Sequence, residues 1–233
     1  MLAKNFEERL MAYHTGFHPV VPFEKTDRLL LLDFTETNQE LSEDIVADTG
    51  LFTTYINQLL QREGARYGIG GYAEHRTIYS RSRVFDPVDG SEPRRLHLGM
   101  DIWGRPYTKV MAPLHGIVHS FAFNNAMGDY GATIILSHRL EDLQFHTLYG
   151  HLSLNSIQNM HPGDVVRKGD VFAQFGIPFE NGHWPPHLHF QVILDLQGKK
   201  GDYPGVCAIS EKEKYLSNCP NPDLMLQMMQ YVE

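Results

Sequence analysis

The chain of 233 residues is poor in cysteine, in tryptophan and in positive charge. It holds two cysteines, two tryptophans, and 20 Lys and Arg against 28 Asp and Glu, for a formal net charge of -8 at pH 7. An acidic excess argues against nucleic acid as the main partner, because phosphate binding wants a basic surface. No basic amphipathic stretch points to a membrane surface. Long hydrophobic runs are missing too: Leu29 to Leu32 is the longest obvious aliphatic run, far too short for a transmembrane segment. Glu7 and Glu8 stand where an export signal would place its apolar stretch. Cys207 and Cys219 could pair, but without an export signal the expectation is a cytoplasmic protein with both thiols reduced.

Apolar residues make up 42% and charged residues 21%, ordinary globular usage, and the length suits one domain with an appended subdomain. Two textures divide the chain. Residues 1–75 read as an N-terminal α-helical or mixed extension. There Thr37-Asn-Gln-Glu40 has the form of a capping box, with Leu41, Ile45 and Val46 behind it. Thr49 is a second candidate N-cap, before Leu51, Phe52, Tyr55, Ile56, Leu59 and Leu60 at helical spacing, and Gly64 suits the helix end. RLLLLDF reads as a short buried strand.

Residues 76–233 carry the punctuation of an all-β domain. ATIILSH, FHTLYGHL, VFAQFG and HLHFQVIL are short runs rich in β-branched and aromatic residues, bounded by turn formers. HPGDVVRKGDVF contains two turn signals, which predicts a tight meander. The tail reads as a loop followed by a short docking helix.

Among 13 histidines, three crowd into NGHWPPHLHFQ, residues 181–191. If a strand begins after Pro186, then His187, His189 and Gln191 share one face, while Leu188, Phe190 and Val192 point into a core. Such pairs also occur on solvated strands. In LHLGMD, His97 and Asp101 are four apart and share a face of an extended segment. Two histidines and a carboxylate would make a three-ligand metal site with a fourth position open, though by itself the pair reads first as an exposed His and a turn-forming Asp. His151, in YGHLS, falls at a strand end, where functional groups concentrate. His183 reads as a rim residue. His14, His18, His75 and His161 read as surface or turn positions, and His115, His119, His138 and His146 as packing or solvated strand residues.

The ordered motifs HLGMD, YGHLS and HLH, over residues 94–195, resemble the lysostaphin/LytM-type zinc metallopeptidases. That resemblance implies a mostly β, antiparallel-sheet peptidase domain (duplicated hybrid motif-like) binding one zinc ion per chain. By position, His97, Asp101 and His189 match the family's metal ligands. His151 and His187 match its two catalytic histidines, one expected to move protons and the other to hydrogen-bond the developing oxyanion, with the assignment between them open. The implied reaction is hydrolysis of peptide bonds, with a peptide or wall-peptide substrate, glycyl peptides foremost. Departures from the secreted members are the NGHWPP approach to the HxH, the helical region ahead of the domain and the missing export signal. No HExxH helix is present, so a Glu-based metalloprotease mechanism is unsupported.

Three other readings compete: a zinc-holding module that binds a peptide or glycan without cutting it, a non-haem Fe(II) enzyme, and a histidine phosphocarrier. Iron enzymes typically space the first His and the acid by two residues rather than four, and a phosphocarrier has no need of Asp101. Tyr107, Tyr149 and Trp184 are candidates to line a groove, each also readable as a packing aromatic.

Overall fold

The structure, a computed structural model, describes residues 2–87 and 89–232. It is mostly β. Twelve strands run through the described residues: β1 (Leu29–Leu32), β2 (Tyr67–Gly70), β3 (Leu96–His97), β4 (Met100–Trp103), β5 (Lys109–Met111), β6 (Gly116–Asn124), β7 (Gly131–Leu140), β8 (Leu143–Leu152), β9 (Val165–Val166), β10 (Val171–Gln174), β11 (His187–Ile193) and β12 (Val206–Cys207). Five helices accompany them there: α1 (Leu2–Ala12), α2 (Glu43–Ala47), α3 (Thr49–Glu63), α4 (Lys212–Asn218) and α5 (Asp223–Leu226).

Eight strands form one sheet in the order β1-β2-β4-β11-β8-β7-β6-β9. Its pairings are antiparallel except that of β1 with β2. Two small sheets, β10-β5 and β12-β3, complete the fold. The residues ahead of 76 are thus continuous with the main sheet, because β1 and β2 extend it beyond β4.

Alternation along β4 and β11 sorts the two faces of the sheet. Leu188, Phe190, Val192, Met100 and Ile102 enter the principal core. On the other face Trp103 joins a second cluster, where Phe52, Ile56 and Leu60 of α3 pack with Phe34, Tyr79 and Trp184. The helical region therefore covers the face of the sheet on which the histidines lie.

Local chemistry moves some of the expected boundaries. The Thr37 box starts no helix, because Asp33 captures its hydroxyl at 2.7 Å and the Thr35 amide at 2.8 Å. Helix α2 begins later, capped by Ser42. Helix α3 is capped by Asp48, whose carboxylate accepts from the Leu51 amide, while the Thr49 hydroxyl donates to the His183 carbonyl. Gly64 closes α3 in the left-handed conformation, φ 63°, as expected. The tight meander is not formed: β9 pairs with β6 and β10 with β5. The Arg167–Asp170 turn sends the two segments to different sheets. In the tail, α5 docks by burying Met225 and Leu226.

Candidate metal centre and active site

The centre of the site is a row across four strands. Asp101 on β4 lies opposite His189 on β11, with Gly70 of β2 beyond Asp101 and Gly150 of β8 beyond His189. Both flanking positions are glycine, and a side chain at either would displace a neighbour. A Cβ on Gly70 would stand 2.6 Å from Arg76 Nη2, and one on Gly150 would stand 2.5 Å from the Tyr130 ring. Two residues along, on the same face, His187 pairs with Trp103 and their rings stack at 3.8 Å, 7° from parallel.

His97 arrives from another direction. The segment from His97 to Asp101 is not one extended strand: β3 pairs with β12 in a small sheet, and Leu98 and Gly99 interrupt it before β4 enters the large one. The two side chains converge nevertheless. His97, Asp101 and His189 form a cluster able to hold a metal ion, and all three are buried.

Their hydrogen-bond partners decide which atoms face the centre. His97 Nδ1 lies 2.9 Å from the Gly71 carbonyl, which can only accept, so this nitrogen carries the proton and Nε2 offers a lone pair. Gln191 donates to the Pro204 carbonyl and to Cys219 Sγ, which turns its Oε1 toward His189 Nε2 at 3.0 Å. That nitrogen is the protonated one, and His189 Nδ1 offers a second lone pair. Asp101 Oδ2 accepts from Arg76 Nη1 at 2.5 Å, leaving Oδ1 turned inward.

Three electron-rich atoms thus face one another with no proton between them. His97 Nε2 is 2.9 Å from His189 Nδ1, which is 3.1 Å from Asp101 Oδ1, which is 3.3 Å from His97 Nε2. Ligand atoms about 2.0–2.1 Å from a tetrahedral zinc ion stand roughly 3.3 Å apart. The donor set, two neutral imidazoles and a carboxylate, fits that ion in type and in spacing.

Electrostatics support the states given to His97 and Asp101. Burial, with the positive charge of Arg76, pushes His97 down to about 4. Burial opposes ionisation of Asp101, but His97 and Arg76 beside it hold its carboxyl well below the usual range. Because His97 is neutral at pH 7, the guanidinium is the charge that counts.

His151 and His187 sit beside this triangle with ring centroids 4.1 Å apart. Each donates from Nδ1 to a carbonyl at 2.7 Å, Asn181 for His151 and Pro185 for His187, so each turns an unprotonated Nε2 outward. Burial pushes His187 down to about 4 and His151 well below its ordinary value, so both are neutral at pH 7. His151 adopts the left-handed conformation, φ 61°. For a non-glycine residue that strain costs roughly 1–3 kcal/mol, and it concentrates at functional positions. Hydrogen bonds of its amide to the Tyr130 carbonyl and of its carbonyl to the Gly176 amide hold it there.

A cavity of about 220 Å³ opens onto these groups, with Asp101, His151, His187 and His189 in its lining. Ile78, Tyr79 and Phe85, Trp103 and Trp184, and Tyr130 supply its apolar walls. The indole N–H groups of Trp103 and Trp184 have no partner among the described residues. Of the three candidate groove aromatics, only Trp184 lines it. Tyr149 is buried in the principal core against Phe190, and Tyr107 is half exposed on a turn. His183 does not line the cavity; its carbonyl instead receives Thr49 and Arg81.

Sequence reasoning missed Arg76, the Gly71 carbonyl and Tyr130. Gln191 was placed on the correct face without a role. The paired glycines of GIGGY were the available signal for a close approach, since Gly70 and Gly71 both abut the site.

Residues 95–202 match the model for peptidase family M23. Over those residues the chain is similar to that family, in keeping with the lysostaphin/LytM-type motifs of its sequence. Among solved structures, the catalytic domain of the antimicrobial peptidase lysostaphin from Staphylococcus simulans is similar at 22% identity, covering 70% of this chain and 97% of that one, with a TM-score of 0.41. Longer lysostaphin from the same organism gives 23% identity, 71% and 52% coverage and a TM-score of 0.43. A zinc containing peptidase from Vibrio cholerae gives 26% identity, 46% and 29% coverage and a TM-score of 0.33. No curated protein matches the chain.

Proposed function

We propose that this protein is a zinc metallopeptidase that hydrolyses a peptide bond held in the cavity lined by Asp101, His151, His187 and His189. The observation that carries the reading is the triangle of proton-free donor atoms on His97, Asp101 and His189, with two further neutral histidines beside it. Those three residues would hold the ion. Zinc bound there would polarise an amide carbonyl and bring the pKa of a water toward about 7.

The remaining groups divide the other tasks. The unprotonated Nε2 of His151 or His187 takes the proton of the attacking water and returns it to the departing amine. The second of the two, whose Nε2 is also unprotonated, accepts a hydrogen bond from the attacking water and holds it in line with the carbonyl carbon. Their carbonyl-bound Nδ1 atoms and the Trp103 stack keep both rings from turning. The orphaned indole N–H groups of Trp103 and Trp184 are donors for the backbone carbonyls of a bound peptide. Exclusion of water by the aromatic walls strengthens each of these contacts. A cavity this small favours short peptides with little side chain beside the cut bond, so glycyl peptides, including wall-derived ones, are the proposed substrate class.

A zinc-holding module without turnover is the second reading, favoured by the burial of all five polar side chains. One assay separates them. The zinc-loaded protein, with and without chelator, is incubated with glycine-rich peptides and wall fragments, and products are followed by mass spectrometry. Chelator-sensitive cleavage is the expected result. Saturable peptide binding with no product would leave the binding module.

A further inference from the structure

The loop that joins β2 to the rest of the domain lies outside the segment matched to the peptidase family, yet it touches two of the three metal-site residues. Its attachment begins with register. β2 pairs with β4 so that Gly70 stands beside Asp101, and the chain then turns along β3, where the Ala73 amide donates to the His97 carbonyl and the His97 amide donates to the Glu74 carbonyl. The Gly71 carbonyl receives His97 Nδ1–H. Arg76 folds back beneath the row into the space that the missing Gly70 Cβ leaves.

Arg76 is buried, and its guanidinium fork is spent on four groups. Nε donates to Glu74 Oε2 at 2.6 Å, and Nη1 to Asp101 Oδ2 at 2.5 Å. Nη1 also reaches the Tyr79 hydroxyl at 3.3 Å, and Nη2 the Gly71 carbonyl at 3.2 Å. Only a planar fork can reach acceptors in these divergent directions at once; a lysine ammonium cannot.

We infer that Arg76 is a positioning residue for the metal centre, holding one oxygen of Asp101 so that the other alone faces the ion, and anchoring through Gly71 the carbonyl that orients His97. A carboxylate free to turn can offer both oxygens to a metal and raise its coordination number. With Oδ2 bound to the guanidinium, Asp101 supplies one donor, and the open position stays open. The N-terminal strands therefore take part in building the site by delivering this loop. The inference rests on the metallopeptidase reading above, since it needs an ion at the three-residue cluster.

The test uses the full chain as wild type, Arg76→Gln and Arg76→Lys. Zinc affinity is measured by competition with a chromophoric chelator, and the visible spectrum is recorded after loading with Co²⁺, whose absorption reports coordination geometry. Circular dichroism of each metal-free protein checks folding. Loss of a hydrogen-bond partner behind a ligand typically costs 10–100-fold in metal affinity. We expect that loss in Arg76→Gln, with a weaker cobalt band indicating a higher coordination number. Arg76→Lys, which keeps the charge but loses the fork, should fall between wild type and Arg76→Gln in both readouts, and it carries the test if Arg76→Gln does not fold. Wild-type affinity with an unchanged cobalt spectrum in the folded variants would overturn the role of Arg76 while leaving the metal reading standing. Failure of the wild type itself to bind zinc would instead remove the metal reading.

Discussion

Two groups of buried or half-buried histidines lie against different parts of the main sheet, and they differ in what their nitrogens face. At the β4–β11 centre, His97, His189 and Asp101 turn three lone pairs toward one point. On β7 and β8, His138 is equally enclosed and burial pushes it down to about 4, as burial also does for His146. Yet His138 donates from Nδ1 to the His115 carbonyl at 2.9 Å and pairs through Nε2 with the Thr147 hydroxyl at 2.7 Å. His146 pairs with the Ser137 hydroxyl at 3.1 Å. Burial and a depressed pKa are common to His97 and His138, so neither marks a site. The distinguishing feature is unmet valence: the second group is satisfied by its neighbours, whereas the first is satisfied only by a cation.

Substitutions can break this contrast if it is wrong. His189→Ala, which removes one corner of the triangle, should reduce zinc binding to the level of non-specific association in equilibrium dialysis, while His138→Gln should bind like wild type. Equal losses in both would erase the distinction. His187→Ala and His151→Ala should keep the metal but lower peptide turnover about 10²–10⁴-fold, the usual range for a positioned acid or base. Rate measurements on variants confirmed to be metal-loaded decide this, and a variant that loses its zinc would move that histidine into the ligand set.

The smallest effect concerns stability. His138 is held neutral in the folded state while its unfolded form titrates near 6.5, so the unfolded chain binds more protons between these values. The stability it contributes is present above pH 6.5 and is lost as the pH falls from 6.5 to about 4. The full loss is on the order of 3 kcal/mol, since each tenfold weakening of proton binding on folding corresponds to roughly 1.4 kcal/mol. Denaturant melts of the metal-free protein at pH 7 and pH 4.5 should show a smaller loss in His138→Gln than in wild type. An identical pH dependence would mean that His138 titrates alike in both states.

Much of this arrangement was legible in the sequence. Alternation along HLHFQV assigned His187, His189 and Gln191 to one face and the aliphatic residues to the core, because a strand has a period of two whatever surrounds it. Two element boundaries also followed from local chemistry: Pro186 ahead of β11 and Gly64 after α3. What could not be read was anything set by long-range pairing. His97 and Asp101 were expected on one extended segment and instead meet across the Leu98–Gly99 interruption, since β3 finds its partner in β12, far onward in the chain. Arg76 is beyond the reach of spacing arguments, because its contact with Asp101 depends on the β2–β4 register. The Thr37 box failed for a local reason that its motif does not include, the carboxylate of Asp33 four residues earlier.

Isothermal titration of zinc into the metal-free full chain, wild type beside Asp101→Ala, tests the central claim most directly. One tight site per chain in the wild type, absent in the variant, is the predicted result. No tight site in the wild type, or one that survives in Asp101→Ala, would contradict the reading of His97, Asp101 and His189 as a metal centre.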